Sequence, residues 1–150
     1  MAEQTSSDIV IDASPAVIMD VIADLAAYPE WSDGIEAVTV LSRYEDDNRP
    51  ADARFTVRSG PINDTYELEY DWTGDTRVTW TLIKGEMLTA MNGEYELIPD
   101  ASGGTAVHYR LSVDVKIPMI GMFKRKAEKV IVDTALKGLK TRVESRSSGA

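Results

Sequence analysis

The sequence predicts an α+β fold in which a curved antiparallel sheet of about seven strands wraps around a long C-terminal helix. The first observation is that apolar and polar residues alternate with a period of two through most of the chain up to Val115, as in sheets with one solvated face. The second is that the hydrophobic period becomes helical after Pro118. Because only this terminal helix is long enough to cover the apolar face, we expect the sheet to curl around it.

A strand and one or two short helices are predicted at the start of the chain. Residues 8–12 alternate weakly, as in a strand. Ser14 followed by Pro15 is typical of a helix start, because serine caps free amides and proline suits the first turn. Apolar residues at helical spacing continue over 18–25, and Pro29 ends this segment.

Alternating runs separated by turn residues predict about six further strands between residues 35 and 115. The terminal helix is predicted from about Met119 for about 25 residues, followed by a small polar tail. The predicted turns lie at 46–50, 60–64, 74–75, 85 and 102–104.

Length and composition indicate one acidic globular domain over 1–150, with an ordered core of about 7–144 and a flexible tail at 145–150. The chain has 16 basic and 25 acidic residues and a net charge of −9, which argues against a nucleic-acid partner. The absence of cysteine excludes disulfides, thiol nucleophiles and cysteine-ligated metals.

The sequence has neither a long apolar run nor a basic, apolar leader, so a cytoplasmic protein is expected. Basic residues at 124–129 follow an apolar segment at 119–123. This arrangement fits transient contact of the 119–129 helix start with an anionic membrane surface, or simply the solvated face of an amphipathic helix. We expect a monomer or a weak dimer.

Aromatic side chains crowd the predicted inner face of the sheet, and rings of this size hold a helix away from it. We therefore expect an apolar cavity between sheet and helix, with tyrosine hydroxyls and indole N–H groups as its polar groups. The predicted cavity mouth is formed by Tyr28, Trp31 and Met119. The predicted ligand-binding residues are Phe55, Val57, Tyr66, Leu68, Tyr70, Trp72, Trp80, Tyr95, Tyr109, Leu111, Met122, Phe123 and Val130.

Several segments resemble a known superfamily. The opening DIVIDASPAVIMDVIADLAAYPEW at 8–31 contains a strand, a proline-marked helix start and the cluster Asp24, Tyr28, Pro29 and Trp31. The pattern continues with GEYEL at 93–97, a Gly-Gly-Thr turn at 103–105, and Pro118 before a long helix ending near 140–144. In these features the chain resembles the START-like (SRPBCC, birch-pollen-allergen-like) superfamily, in its polyketide cyclase/dehydrase branch, which includes coenzyme Q-binding proteins.

The resemblance implies the helix-grip fold, with a deep hydrophobic cavity between the sheet and the C-terminal helix. It implies no particular function, because the superfamily binds lipids, quinones, sterols, hormones and polyketides without a shared catalytic motif. Its aromatase/cyclases rely on cavity-lining Arg, Tyr and Ser or Thr groups. Here every strand arginine falls on the outward parity, namely Arg54, Arg58, Arg77 and Arg110.

No catalytic residue, metal site or cofactor is predicted. His108 is the one histidine and falls on the outer face without a partner, and the acidic residues within 67–71 form a solvated row on that face. Strand parity is open at Gly93, where a bulge would exchange the faces of Asn92 and Tyr95.

The sequence therefore predicts a carrier or sensor that binds a hydrophobic small molecule, lipid-, quinone- or polyketide-like, by excluding it from water. A polyketide cyclase, aromatase or dehydrase using cavity tyrosine hydroxyls is an alternative, which a polar cluster with Ser59, Thr89 or Asn92 deep in the cavity would favour. A protein-interaction module is a second alternative, which a filled cavity beside a large exposed apolar surface would favour. Whether the protein is an enzyme stays open.

Overall fold

The computed structural model describes residues 5–32, 34–59, 62–101, 103–116 and 121–148, without the side chains of 59, 62, 121–124 and 146–148. A short 3-10 turn at Leu25–Ala27 links the first two helices. The other elements, in chain order, are β1 Thr5–Ile11, α1 Pro15–Ala23, α2 Tyr28–Trp31, β2 Ile35–Arg43, β3 Pro50–Ser59, β4 Ile62–Thr73, β5 Arg77–Gly85, β6 Leu88–Pro99, β7 Thr105–Val115 and α3 Gly121–Ser148.

The seven described strands form one antiparallel sheet in the order β1-β7-β6-β5-β4-β3-β2. Each strand from β2 to β7 pairs with the next one along the chain, and β1 joins the free edge of β7. The inner face of this sheet faces α3, and the outer face faces solvent. The predicted α+β fold, a curved sheet around a long C-terminal helix with short helices after the first strand, is confirmed.

The start of α1 follows from its local sequence. Ser14 is the N-cap, with extended backbone angles, and its hydroxyl accepts a hydrogen bond from the Val17 amide at 3.4 Å. Pro15 occupies the first turn, where a missing amide hydrogen costs nothing. Ile18 and Ile22, one helical turn apart, are fully buried, so α1 closes one end of the core.

Strand parity at Gly93 is decided by the register of β6. Trp80 of β5 lies opposite Gly93, and Tyr95 lies opposite Tyr109 of β7, with no register shift between these pairs. Tyr95 is buried and Asn92 is exposed. The bulge considered from the sequence is therefore not present at this point, and Tyr95 faces inward.

Helix α3 spans 28 residues and packs against β1, β7 and α1. Its buried row consists of Val132, Leu136, Leu139 and Val143, at helical spacing. The helix continues to Ser148, past the predicted end of the ordered core. The result is an element that covers the inner face along the length of β7.

In the described part of the chain, no helix is both long and apolar enough to cross a bilayer. Membrane-surface contact through 119–129 stays a prediction, because residues 119–120 lie outside the described part and the side chains of 121–124 are not described.

Candidate functional site

A cavity of about 280 Å³ lies between the inner face of the sheet and the middle of α3. Strands β2 to β7 and helix α2 contribute to its wall. The wall is aromatic and aliphatic over most of its extent, because alternate residues of each strand point inward and those positions hold large apolar side chains. The sequence therefore builds the cavity mainly through strand alternation.

Most predicted ligand-binding residues lie on this wall. Of the eleven whose side chains are described, all except Trp72 line the cavity. Tyr28 and Trp31, predicted at the mouth, line it as well. Met119, Met122 and Phe123 fall on positions or side chains outside the described part. That these residues bind a ligand stays a prediction.

Trp72 was expected on the wall and is not among the residues that line it. Its indole Nε1 donates a hydrogen bond to the Pro50 carbonyl at 2.7 Å, and the Arg49 guanidinium lies 5.3 Å from its ring. Its position near the end of β4 accounts for the difference. Alternation places Trp72 on the inner face, but too far along the strand to reach the cavity.

Several wall residues were not predicted as ligand-binding residues, although parity or helical spacing could have identified them. Met91 precedes Gly93 and Tyr95 on the same face of β6, and Val113 follows Leu111 on the same face of β7. These unpredicted residues include Ile35, Leu88, Met91, Val113, Ile131 and Thr134.

A row of aromatic rings follows the wall from β7 to β3. The ring centroids of Tyr109 and Tyr95 are 4.5 Å apart, and Trp80 lies 5.5 Å from Tyr95. Tyr70 lies 5.9 Å from Trp80, and Phe55 lies 6.5 Å from Tyr70. These separations are those of contacting aromatic pairs, so the rings form a continuous surface.

The position of Trp80 depends on the missing side chain at Gly93. A Cβ atom at Gly93 would lie 2.1 Å from Cε2 of Trp80, far inside contact distance. The indole therefore lies directly over the backbone of β6. Sequence patterning alone indicated a turn or bulge at this glycine, because the indole's approach becomes visible only in the register of β5 against β6.

Five tyrosines line the cavity, and their hydroxyls fall into two groups. The Tyr28 hydroxyl donates a hydrogen bond to the Ile22 carbonyl, which fixes α2 against α1. For the other four, no hydrogen bond joins the hydroxyl to a described residue. These four are Tyr66, Tyr70, Tyr95 and Tyr109.

Burial raises the pKa of all five cavity tyrosines above its ordinary value. Neighbouring tyrosines add to the rise: Tyr66, Tyr109 and Tyr95 raise the pKa of Tyr70, and Tyr95 raises that of Tyr109. Each hydroxyl is therefore protonated at neutral pH and able to donate a hydrogen bond, but poorly suited to act as a base.

Trp31 closes one side of the cavity by packing on α3. A Cβ atom at Gly138 would lie 2.7 Å from the Trp31 carbonyl oxygen, so this approach requires glycine. The Tyr28 and Trp31 ring centroids are 4.9 Å apart. The indole Nε1 of Trp31 is buried without a hydrogen-bond partner in the described part of the chain.

Arg58 is the one charged residue among the described residues that line the cavity. Its side chain is 72% exposed and its Nε lies 3.1 Å from Glu36 Oε2, so it lies at the rim. The outward parity predicted for Arg58 gave it no place on the wall. The structure corrects this, because Arg58 lies next to the end of β3, where the strand borders the opening.

Glu128 of α3 is a buried carboxylate that was not singled out from the sequence. Its two oxygens accept hydrogen bonds from the Thr5 hydroxyl and from the Val113 amide, both at 2.7 Å. Thr5 pairs with Leu111 at the described end of β1, so the Val113 amide lies beyond that pairing. Glu128 thus ties α3 to β1 and β7. Its spacing four residues before Val132 was the available signal.

The polar cluster required by the cyclase alternative is not formed by its described members. Thr89 and Asn92 are exposed, and the Ser59 side chain is not described. His108 was expected without a partner, but its Nδ1 lies 3.7 Å from Asp8 Oδ2 of the neighbouring strand β1. Both residues lie on the outer face, away from the cavity.

Three solved structures with this fold place the chain among known architectures. A START superfamily protein from Mycobacterium smegmatis is 24% identical, with a TM-score of 0.88, and the match covers 95% of this chain and 98% of that one. The Zhui aromatase/cyclase from Streptomyces sp. R1128 is 13% identical with a TM-score of 0.80, covering 98% and 96%. A Thermus thermophilus protein is 21% identical with a TM-score of 0.78, covering 96% and 99%. At these identities the likeness concerns the fold.

No curated protein matches the sequence significantly. The family model for "Polyketide cyclase / dehydrase and lipid transport" matches residues 11–140, which includes α1, the sheet from β2 to β7 and most of α3. The chain therefore belongs to this family of the START-like superfamily.

Proposed function

We propose that the protein is a carrier or sensor that binds a hydrophobic small molecule, lipid-, quinone- or polyketide-like, in the cavity between the sheet and α3. The observation that carries the proposal is the cavity itself: about 280 Å³, lined by aromatic and aliphatic side chains, with Arg58 at its rim as the one charged group among the described lining residues. Such a site gains affinity mainly by removing apolar ligand surface from water.

The size of this effect is sufficient for useful affinity. A ligand that buries about 300 Å² of apolar surface gains about 7 kcal/mol at ~25 cal/mol per Å², before the entropic costs of association. Contacts between a flat ligand and the aromatic row add to this value. No charge pairing is needed.

A polyketide cyclase, aromatase or dehydrase remains an alternative with some support, since the family includes such enzymes by description and tyrosine hydroxyls line the cavity. Two observations favour the carrier or sensor. Thr89 and Asn92 are exposed rather than in the cavity, and the raised pKa values of the tyrosines make them poor bases. A protein-interaction module is less favoured still, because the cavity is not filled by side chains.

Native mass spectrometry of protein purified without detergent tests the proposal, followed by solvent extraction and identification of any bound small molecule. A co-purifying hydrophobic compound, or binding from a panel of fatty acids, quinones and polyphenols, is expected. Failure of both would overturn the proposal. Conversion of a bound poly-ketone into a cyclised product would establish the enzyme alternative.

A matched pair of variants on α3 locates the binding. Ala135 lines the cavity, whereas Lys137, two residues further, is exposed. Ala135→Phe is expected to fill the cavity and abolish binding, and Lys137→Phe is expected to leave binding unchanged. Circular dichroism and thermal unfolding of both variants check the fold. Equal affinity in the two variants would place the ligand elsewhere.

A further inference from the structure

The four cavity tyrosines whose hydroxyls have no described partner are unusual for a protein interior. Their side chains are at least nine-tenths buried, with relative exposures of 8%, 4%, 5% and 6% for Tyr66, Tyr70, Tyr95 and Tyr109. Buried polar groups are nearly always hydrogen-bonded, because an unpaired one forfeits its hydration. Phenylalanine would supply the same ring without this cost, so the hydroxyls require another explanation.

The hydroxyls belong to one cluster rather than to four separate sites. They come from β4, β6 and β7, and the Tyr95 and Tyr109 rings are 4.5 Å apart. The pKa of Tyr70 is raised by burial and then by the proximity of Tyr66, Tyr109 and Tyr95, which places its hydroxyl near theirs. All four are protonated at neutral pH and therefore present donor groups to the same cavity.

The charge around the cluster indicates which acceptor suits it. Arg58, the one charged residue among the described lining residues, lies at the rim and is paired with Glu36. The whole chain has a net charge of −9. A carboxylate at the cluster would lose its hydration without a cation to compensate, whereas a neutral carbonyl oxygen needs only donors.

The shape of the wall adds a second requirement. The Trp80 indole lies directly over Gly93 and is flanked by Tyr70, Tyr95 and Tyr109, with centroids 5.5 to 5.9 Å away. An extended aromatic surface of this kind favours a flat ring system, which contacts it over a larger area than a flexible chain does.

We infer that the cluster of Tyr66, Tyr70, Tyr95 and Tyr109 binds a neutral carbonyl oxygen on a flat aromatic ligand, with the ring seated against Trp80. The inference rests on the proposed function and narrows it, because it selects uncharged aryl ketones over hydrocarbons of the same shape and over aryl carboxylates. The four hydroxyls then act as specificity-determining groups, and the aromatic row supplies the apolar contact.

Isothermal titration calorimetry with three naphthalene probes of similar size tests the inference: 2-acetonaphthone carries a neutral ketone, 2-isopropylnaphthalene has no oxygen, and 2-naphthoate carries a carboxylate. The ketone is expected to bind about tenfold or more tighter than the hydrocarbon, since each net hydrogen bond contributes about three- to tenfold. The carboxylate is expected to bind more weakly than the ketone.

The double variant Tyr95→Phe/Tyr109→Phe is expected to abolish most of the preference for the ketone and to leave hydrocarbon affinity unchanged. Tyr44→Phe is the matched control, because the Tyr44 hydroxyl bonds to the Tyr70 carbonyl and Tyr44 is not among the described residues that line the cavity. This control is expected to keep the full preference. Both rings are retained, so folding should be preserved, and circular dichroism checks it.

Three results separate the possible failures. Binding of the hydrocarbon with no preference for the ketone would overturn this inference and leave the proposed function standing. Tighter binding of 2-naphthoate than of the ketone would overturn it as well, in favour of an anionic ligand. No binding of any probe, combined with no co-purifying compound, would overturn both.

Discussion

The two faces of the sheet treat polar groups in opposite ways, although they are built from alternate residues of the same strands. On the outer face of β4, Glu67 pairs with Arg54 of β3 and Lys84 of β5 at 3.2 and 3.5 Å. On the inner face of the same strand, the Tyr66 and Tyr70 hydroxyls have no described partner. Polar groups whose partners come from the protein need no ligand, whereas those on the inner face are satisfied only by something that enters the cavity.

Alkaline pH is expected to break this contrast with the largest effect. The folded-state pKa of each cavity tyrosine lies above its unfolded value near 10, so the stabilisation is complete below about pH 10 and is lost as pH rises. Five such groups lower the free energy of unfolding by about 7 kcal/mol at about pH 11 relative to about pH 9. The five are Tyr28, Tyr66, Tyr70, Tyr95 and Tyr109.

Urea unfolding at both pH values measures this change, and absorbance at 295 nm follows tyrosine ionisation. Ionisation of the buried tyrosines should coincide with unfolding. If they ionised while the circular dichroism spectrum stayed native, the inner face would be open to water and the contrast between the faces would fail.

Gly93→Ala is expected to have the next largest effect. The added methyl overlaps the Trp80 indole, so the ring must move and the free energy of unfolding should fall by about 3 kcal/mol. Gly74→Ala is the control: its φ is +51° with no atom within 4 Å of an added Cβ, and it should cost about 1 kcal/mol from backbone strain. Equal losses in urea unfolding of the two variants would contradict the contact.

Two tyrosine variants sharpen the comparison within the inner face. Tyr28→Phe removes the hydrogen bond to the Ile22 carbonyl and should lower the free energy of unfolding by about 1 kcal/mol. Tyr109→Phe removes a hydroxyl with no described partner and should leave the ligand-free protein equally stable, or up to about 1 kcal/mol more stable. Thermal and urea unfolding measure both. A loss of stability in Tyr109→Phe matching that of Tyr28→Phe would indicate that its hydroxyl is structural.

The smallest effect is expected on the outer face. Arg77 is 50% exposed and lies 3.6 and 3.4 Å from carboxylate oxygens of Glu94 and Glu96. Because such exposed pairs are screened by water and salt, Arg77→Ala should change the free energy of unfolding by about 0.5 kcal/mol or less. Urea unfolding in low salt and in about 1 M NaCl checks this expectation. A loss above about 2 kcal/mol would show that the outer ion pairs contribute to the core.

Strand alternation explains why so much of the fold and the cavity wall could be predicted. The period of two assigns each residue of β3 to β7 to a face, and the aromatic residues at the inward positions predict the row of rings. Parity gives a face but no distance along the strand, and this is why Trp72 was placed on the wall. It also fails near strand ends, as at Arg58.

Other features depend on contacts between distant segments and could not be read from local pattern. Gly93 makes room for Trp80 only because β5 and β6 pair in one particular register. Gly138 accepts Trp31 because α2 is folded back onto α3. Glu128 is buried because the Val113 amide lies past the described pairing of β1 with β7, and a charged residue in a helical pattern is otherwise interpreted as solvated.

The three tryptophans of the chain occupy three separate environments, and this makes intrinsic fluorescence a positional reporter. Trp80 lies in the cavity wall, Trp31 closes one side of it, and Trp72 is held by the Pro50 carbonyl away from the lining residues. Emission from a variant that retains only Trp80 reports occupancy of the wall, and one that retains only Trp31 reports the α2–α3 contact. A variant that retains only Trp72 supplies an internal reference within the same fold.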